Sequence, residues 1–185
     1  MKLEHVTKRF DGRAVLDGMT HEFAPGVTAI MGPSGVGKST LLLLLMGLVQ
    51  PDSGRVEPPL GRLGAVFQED RLLEQLTAVQ NLCFVAGREA EPRARVLLER
   101  LGLGAELNKP VSEFSGGMKR RVAIARALVV EPEVLIMDEP FRGLDEETRA
   151  MTARVIREQR VRTIVFVTHD GAELGLMGAD SVMRL

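Results

Sequence analysis

The stretch Gly32-Pro33-Ser34-Gly35-Val36-Gly37-Lys38-Ser39-Thr40 contains the pattern G-x-x-x-x-G-K-[ST], met at every fixed position by Gly32 to Ser39. Glycines let such a loop curl until successive backbone N–H groups point inward at an anion. A helix that follows adds the positive end of its dipole. In this arrangement Lys38 reaches the β- and γ-phosphates of a nucleotide, and the Ser39 hydroxyl is a ligand for Mg²⁺. A second set of reactive groups closes an apolar run, Val134-Leu135-Ile136-Met137-Asp138-Glu139. Asp138 is placed to hold Mg²⁺ through water, and Glu139 to orient or deprotonate an attacking water. Three further positions join the candidates. Gln68 ends a short apolar run, and an amide there can hold a water or complete a metal shell. Ser115-Gly116-Gly117 opens a long helical stretch and makes a second anion site. His169 ends another apolar run and could reach a γ-phosphate.

The surrounding sequence supplies elements to carry these groups. Residues 27–31 read as a buried strand entering the loop, and 41–48 as an apolar helix leaving it. Residues 2–10 and 14–23 read as strands joined at Asp11-Gly12-Arg13, an antiparallel addition beside a parallel core. Short strands are expected at 55–57 and 63–67. From Leu72 to Pro110 the pattern turns helical: Thr77 is an N-cap for 78–86, and Pro92 opens a helix over 93–101 that Gly102 stops. This block interrupts the strand–helix alternation and reads as an inserted helical subdomain. A long helix over 118–130, strands at 134–139 and 163–167, helices at 146–159 and 171–178, and a strand at 181–184 complete the chain. Asp145 is an N-cap for the helix that starts at Glu146.

Several residues carry a plainer reading beside the chemical one. Gln68 alone is an ordinary strand terminator, and a lone histidine is most often structural. Phe10 is either core filler or a ring on which adenine stacks, and position alone favours core filler. Lys119, Arg120 and Arg121 crowd the first turn of the helix after Ser115. Cations there oppose the dipole by a few tenths of a kcal/mol each, roughly. Either an anionic group docks nearby or the three are solvated basic side chains with acidic neighbours, and for any one of them the second is the better reading.

The totals bound the answer. The 185 residues are 45% hydrophobic and 26% charged, which suits one α/β domain with a substantial core. A net charge of -1 gives no overall bias towards nucleic acid. One cysteine, Cys83, excludes an intrachain disulfide and fits a reducing compartment. No apolar run approaches the ~20 residues of a membrane-spanning helix. Lys2, Glu4 and His5 interrupt the start, so no signal peptide is expected.

Taken in order, these motifs resemble the nucleotide-binding subunit of ATP-binding-cassette (ABC) transporters over essentially the whole chain. Gly32 to Thr40 match the Walker A loop, Gln68 the Q-loop, and Phe114-Ser115-Gly116-Gly117-Met118 the signature motif. Val134 to Glu139 match Walker B with its catalytic glutamate, Gly143-Leu144-Asp145 the D-loop, and His169 the switch histidine. Phe10 falls where the family places its adenine-stacking aromatic, which reverses the preference from position alone. The text around Gln68 and Ser115 is similar to importers of nitrate, aliphatic sulfonates and taurine.

The resemblance implies an α/β fold of the P-loop NTPase type, with a mainly parallel sheet core, N-terminal antiparallel strands and the helical insert. Residues 1–185 would form one nucleotide-binding domain, with 1–71 and 132–185 as the ATPase core and about 72–131 as the helical subdomain. It implies ATP and Mg²⁺ as cofactors, with Ser39, Gln68 and Asp138 around the metal. Glu139, His169, Gln68 and Lys38 would serve hydrolysis. Two cassettes, identical or paralogous, would sandwich two ATP molecules head to tail. Each ATP would lie on one Walker A loop and against the other chain's Ser115-Gly116-Gly117, with Asp145 at the interface. A groove formed by the helical insert and the segment after Gln68 would take a short cytoplasmic helix of a permease, itself served by a solute-binding protein. The subunit would then be cytoplasmic and peripheral on the inner face of the membrane. Met118 departs from the family's usual glutamine. The segment from Thr40 to Gln68 is shorter than usual, and the sequence ends at Leu185 without the usual C-terminal helices or a regulatory domain. Competing expectations are a soluble ABC-type ATPase, a nucleotide-gated scaffold and a small-molecule kinase.

Overall fold

The computed structural model describes residues 1–185. The chain runs through β1 (Lys2–Phe10), β2 (Arg13–Glu22), β3 (Gly26–Met31), α1 (Lys38–Leu45), β4 (Ser53–Glu57) and β5 (Leu63–Val66). Three helices follow, α2 (Ala78–Ala86), α3 (Glu91–Arg100) and α4 (Gly116–Leu128), joined by short 3₁₀ turns. Strands and helices then alternate through β6 (Val134–Asp138), α5 (Glu146–Arg157), β7 (Thr163–Val167), α6 (Ala172–Met177) and β8 (Ser181–Arg184).

Strands β6 and β7 are buried at every residue, as strands covered on both faces must be. They form the centre of a five-stranded sheet of order β5-β6-β7-β3-β8. Every pairing in it is parallel, so the core is wholly rather than mainly parallel. Period-two alternation sends successive side chains into two different cores. Leu135, Met137, Ile164 and Phe166 face one cluster, shared with α2, α3, α4 and α5. Val134, Ile136, Val165 and Val167 face the other, shared with α1 and the N-terminal strands. The helical segment 72–131 thus has no separate core: Leu98 of α3 and Ile124 of α4 are fully buried in the same cluster as the sheet.

The N-terminal strands form their own antiparallel sheet, ordered β2-β1-β4. β4 joins this sheet and not the parallel one. Helix α1 lies beneath it and buries Leu41, Leu42, Leu44 and Leu45. Each such leucine contributes about 1.5–3 kcal/mol on burial. The helix starts earlier than the apolar run suggests, at Lys38, because the phosphate-binding pattern itself turns helical there. Past its C-cap, Met46, the chain turns at Gly47, in the left-handed region (φ 70°). There Leu48 N–H donates to the Leu43 carbonyl and Gly47 N–H to that of Leu44, a Schellman closure. Thr77 caps α2 as expected, through a reciprocal capping box with Gln80. No helix is long and apolar enough to cross a membrane.

Candidate nucleotide site

The strand order decides which loops meet. β5, β6, β7 and β3 are neighbours and run the same way, so Gln68, Asp138-Glu139, Thr168-His169 and the loop starting at Gly32 all leave the carboxyl edge of one sheet. That edge is where open α/β sheets bind ligands. Backbone bonds hold the exits in register: Thr168 N–H donates to the Ile30 carbonyl at 3.1 Å, and Glu139 N–H to that of Val167 at 3.1 Å.

A pocket of about 320 Å³ opens there. Ser34, Gly35, Gly37, Lys38, Ser39 and Thr40 line it from the loop, and Gln68, Asp138 and Glu139 from the strand ends. Val15 of β2 completes the wall. Gly37 precedes α1 with φ 111°, and a Cβ there would sit 2.8 Å from Val15 Cγ1 and 3.0 Å from the Val15 carbonyl oxygen. Only glycine permits that approach. Lys38 Nζ donates to the carbonyl oxygens of Gly32 and Pro33, at 2.8 Å each, which folds its ammonium over the loop. Val36 packs beneath Gly32. The first turn of α1 holds no acidic residue, so its positive end is left for an anion.

Asp138 is 7% exposed. Burial pushes its carboxyl above the ordinary range, a hydrogen bond with Ser39 pulls the other way, and the nearby Glu139 charge pushes it further up. A buried carboxylate disfavoured in its charged form, beside a hydroxyl and with a side-chain amide in the same pocket, is a donor set that a hard divalent cation relieves. Ser39, Asp138 and Gln68 therefore fit Mg²⁺. The protein offers few ligands, which leaves room for phosphate oxygens and water.

Glu139 adopts a left-handed backbone conformation, φ 46°, roughly 1–2 kcal/mol above the ordinary one for a residue with a Cβ. Its Oε1 lies 3.6 Å from His169 Nδ1, adjacent but beyond hydrogen-bond distance. The His169 loop is fixed from behind. Thr168 Oγ1 donates to Glu173 Oε2 at 2.6 Å, and Arg149 Nη1 to Asp170 Oδ2 at 2.6 Å. Burial raises the Glu173 carboxyl, against that bond from Thr168.

Other candidates lie outside the pocket. Ser115 is the N-cap of α4, its Oγ accepting from Met118 N–H at 3.3 Å. Gly116 and Gly117 form the helix's first turn. A Cβ on Gly117 would lie 3.4 Å from the Gly143 carbonyl oxygen, so the 115–117 and 143–145 loops share one face. Asp145 caps α5, accepting from Thr148 N–H at 2.8 Å and Thr148 Oγ1 at 3.0 Å. These bonds hold its carboxyl below the ordinary value.

Phe10 is 48% exposed, with Lys8 Nζ 5.5 Å from its ring centre, because it stands at the β1–β2 turn outside both clusters; of its two readings, core filler is excluded. In the basic run 119–121, Lys119 alone keeps the form of a partly exposed cation with an acidic neighbour, while the two arginines turn to backbone carbonyls. Lys119 pairs with Glu74, Arg121 donates to the carbonyl oxygens of Gly117, Leu101 and Gly102, and Arg120 is buried against backbone carbonyls. Cations clustered at the wrong end of a helix dipole were the available signal, but their partners are distant in sequence. Val15 was missed altogether, since nothing in β2 marks one valine as a pocket wall.

A family profile described as ABC transporter matches residues 16–142. Aliphatic sulfonates import ATP-binding protein SsuB 1 of Pseudomonas fluorescens is 44% identical over 190 residues, covering 100% of this chain and 73% of its own length. The protein of the same name from Burkholderia lata is 43% identical over 187 residues, covering 95% of this chain; the chain spans only 58% of that relative. Among solved structures, the dimeric post-hydrolysis state of the ATP-binding cassette MJ0796 bound to ADP and Pi superposes with a TM-score of 0.85 at 29% identity, covering 100% of this chain and 93% of that one. An ATP-binding subunit of an ABC transporter superposes at 0.89 and 27% identity, covering 100% and 85%.

Proposed function

The chain belongs to the ABC transporter family, and from that premise we propose that it is the ATP-binding, ATP-hydrolysing subunit of a bacterial solute importer of the kind named in its sulfonate-importing relatives. The observation that carries this reading is the single pocket that joins the phosphate-binding loop to Gln68, Asp138 and Glu139. A loop alone binds nucleotide. A loop facing a carboxylate at the end of β6, one strand removed in the same sheet, also has a group to act on water.

The loop amides and the α1 N-terminus hold the phosphates, and Lys38 balances charge at the β- and γ-positions. Glu139 orients the attacking water and accepts its proton, and His169, adjacent to Glu139, meets the γ-phosphate. Ser39, Gln68 and Asp138 would hold Mg²⁺, which when bound neutralises charge developing on the phosphates. Phe10, exposed at the end of β1, offers a ring to adenine.

Ser115, Gly116 and Gly117 belong to a face outside this pocket. They complete the site from a second cassette, identical or paralogous, so that each nucleotide is shared by two chains. The dimeric solved neighbours support this pairing. The helical insert and the segment after Gln68 receive a cytoplasmic helix of a permease. Phe84 of α2 supports the part played by the insert, being 72% exposed at a cavity of about 580 Å³ that the insert alone lines. The subunit then sits peripherally on the inner face of the membrane.

Steady-state MgATP hydrolysis by the purified chain tests the reading. Lys38→Ala should abolish turnover through lost binding. Glu139→Gln should lower kcat by about 100-fold or more while ATP still binds, the scale of a lost general base. Full turnover in Glu139→Gln would remove Glu139 from the mechanism.

A further inference from the structure

Arg120 is 3% exposed and uses its whole guanidinium. Nε donates to the Pro140 carbonyl oxygen at 3.1 Å, and Nη1 to the Phe67 carbonyl oxygen at 2.6 Å and Asp70 Oδ1 at 3.0 Å. Nη2 donates to the carbonyl oxygens of Asp138 at 2.5 Å and Glu139 at 2.7 Å. Guanidinium has five N–H donors, and here five acceptors meet them. Phe67 and Asp70 bracket Gln68. Asp138, Glu139 and Pro140 are the turn that carries the acidic pair, including the left-handed residue Glu139. One side chain from the helix capped by Ser115 thus clamps the backbone beneath both active-site loops. Arg126 of the same helix reinforces the clamp, donating to the carbonyl oxygens of Asp70 and Arg71.

We infer that Arg120 is a positioning residue for hydrolysis, which holds Glu139 in its left-handed conformation and Gln68 at a set distance from it. The inference rests on the proposed ATPase reading. The left-handed turn at Glu139 is uphill, and the Arg120 bond to the Glu139 carbonyl offsets that strain locally. The same bonds link the helix beginning at Ser115 to the water-activating group, so displacement of α4 moves Glu139 and Gln68 together. Arg120 bonds neither the phosphate-binding loop nor Lys38, and nucleotide binding measured without Mg²⁺ is therefore separable from its role.

Lysine keeps the charge that faces Asp70 but has three donors on a point ammonium and cannot span the fork. Arg120→Lys should lower kcat about 10- to 100-fold, since displacement of a catalytic group by about 1 Å costs on the order of 100-fold. Its affinity for a fluorescent ATP analogue, measured without Mg²⁺, should stay within about threefold of the wild type. In a Glu139→Gln background the same change should lower the residual rate by a smaller factor than it lowers the wild-type rate, because one of the two groups it positions is gone. Arg120→Gln serves as the second variant. Wild-type kcat in Arg120→Lys, or losses that multiply fully with Glu139→Gln, would overturn the inference. So would loss of both ATP binding and the cooperative melt in both variants, which would make Arg120 a residue of the fold alone. A wild-type chain without turnover removes the ATPase reading itself, an outcome distinct from a wild type that turns over beside an unaffected Arg120→Lys.

Discussion

Gly37→Ala should damage nucleotide binding far more than the addition of one methyl suggests. Gly37 stands at φ 111°, where an alanine carries roughly 1–3 kcal/mol of backbone strain. Its Cβ would also lie 2.8 Å from Val15 Cγ1, 3.0 Å from the Val15 carbonyl oxygen and 3.2 Å from Leu16 Cδ2. The valine methyl can rotate, but the carbonyl is part of β2 and is held by the sheet. Overpacking of this sort adds about 1–3 kcal/mol. The chain relieves both by moving the loop away from β2, which opens the phosphate cradle. About 2–6 kcal/mol taken from binding weakens ATP affinity by at least about 30-fold. Gly47→Ala is the matched control. Its φ is 70° and no atom lies within 4 Å of the added Cβ. It should lower the melting temperature by about 2–4 °C, for a strain near 1 kcal/mol, and leave binding unchanged. Titration of a fluorescent ATP analogue, with thermal melts of each variant, reads both effects. Binding within about threefold of the wild type in Gly37→Ala, or equal weakening in Gly47→Ala, would refute the close-packing argument.

Acid stability depends on Asp145, whose carboxyl is held below its ordinary 3.8 by bonds from Thr148 N–H and Oγ1. Folding favours its charged form, so the stability it adds is complete above the unfolded value and is lost as pH falls through the depressed native value. Asp145→Asn should therefore be less stable at neutral pH and show a flatter fall in melting temperature on acidification; parallel curves would count against this. Leu98→Ala should cost about 2–5 kcal/mol. Because Leu98 shares a cluster with β6 and β7, the loss should move one melting transition of the whole chain, whereas a separate early transition would show that the helices hold their own core.

Local chemistry was legible where local signals determine it. Thr77 marks the start of α2 because a cap and the amide it receives lie within four residues. The apolar run 163–167 matches β7 because a strand buried on both faces shows no alternation to misread. Non-local pairing was not legible. Nothing in Ser53–Glu57 says that it pairs with β1 and leaves the parallel sheet to others. Arg120 shows the same limit at the site. Its position near a helix N-terminus looked unfavourable, and the five oxygens that make it favourable come from segments around residues 67–70 and 138–140. The motifs named the groups of the nucleotide site. Only the strand order brought Gln68, Glu139 and the loop together and left Ser115–Gly117 on another face.

That separation makes the shared site the central matter. Light scattering of Glu139→Gln, with and without MgATP, addresses it most directly, because blocked hydrolysis should hold two chains around the nucleotides. A mass of one chain, 20.2 kDa, without ATP and twice that with ATP is expected. A single-chain mass at saturating MgATP, in protein that binds the nucleotide, would contradict a site completed by a second copy.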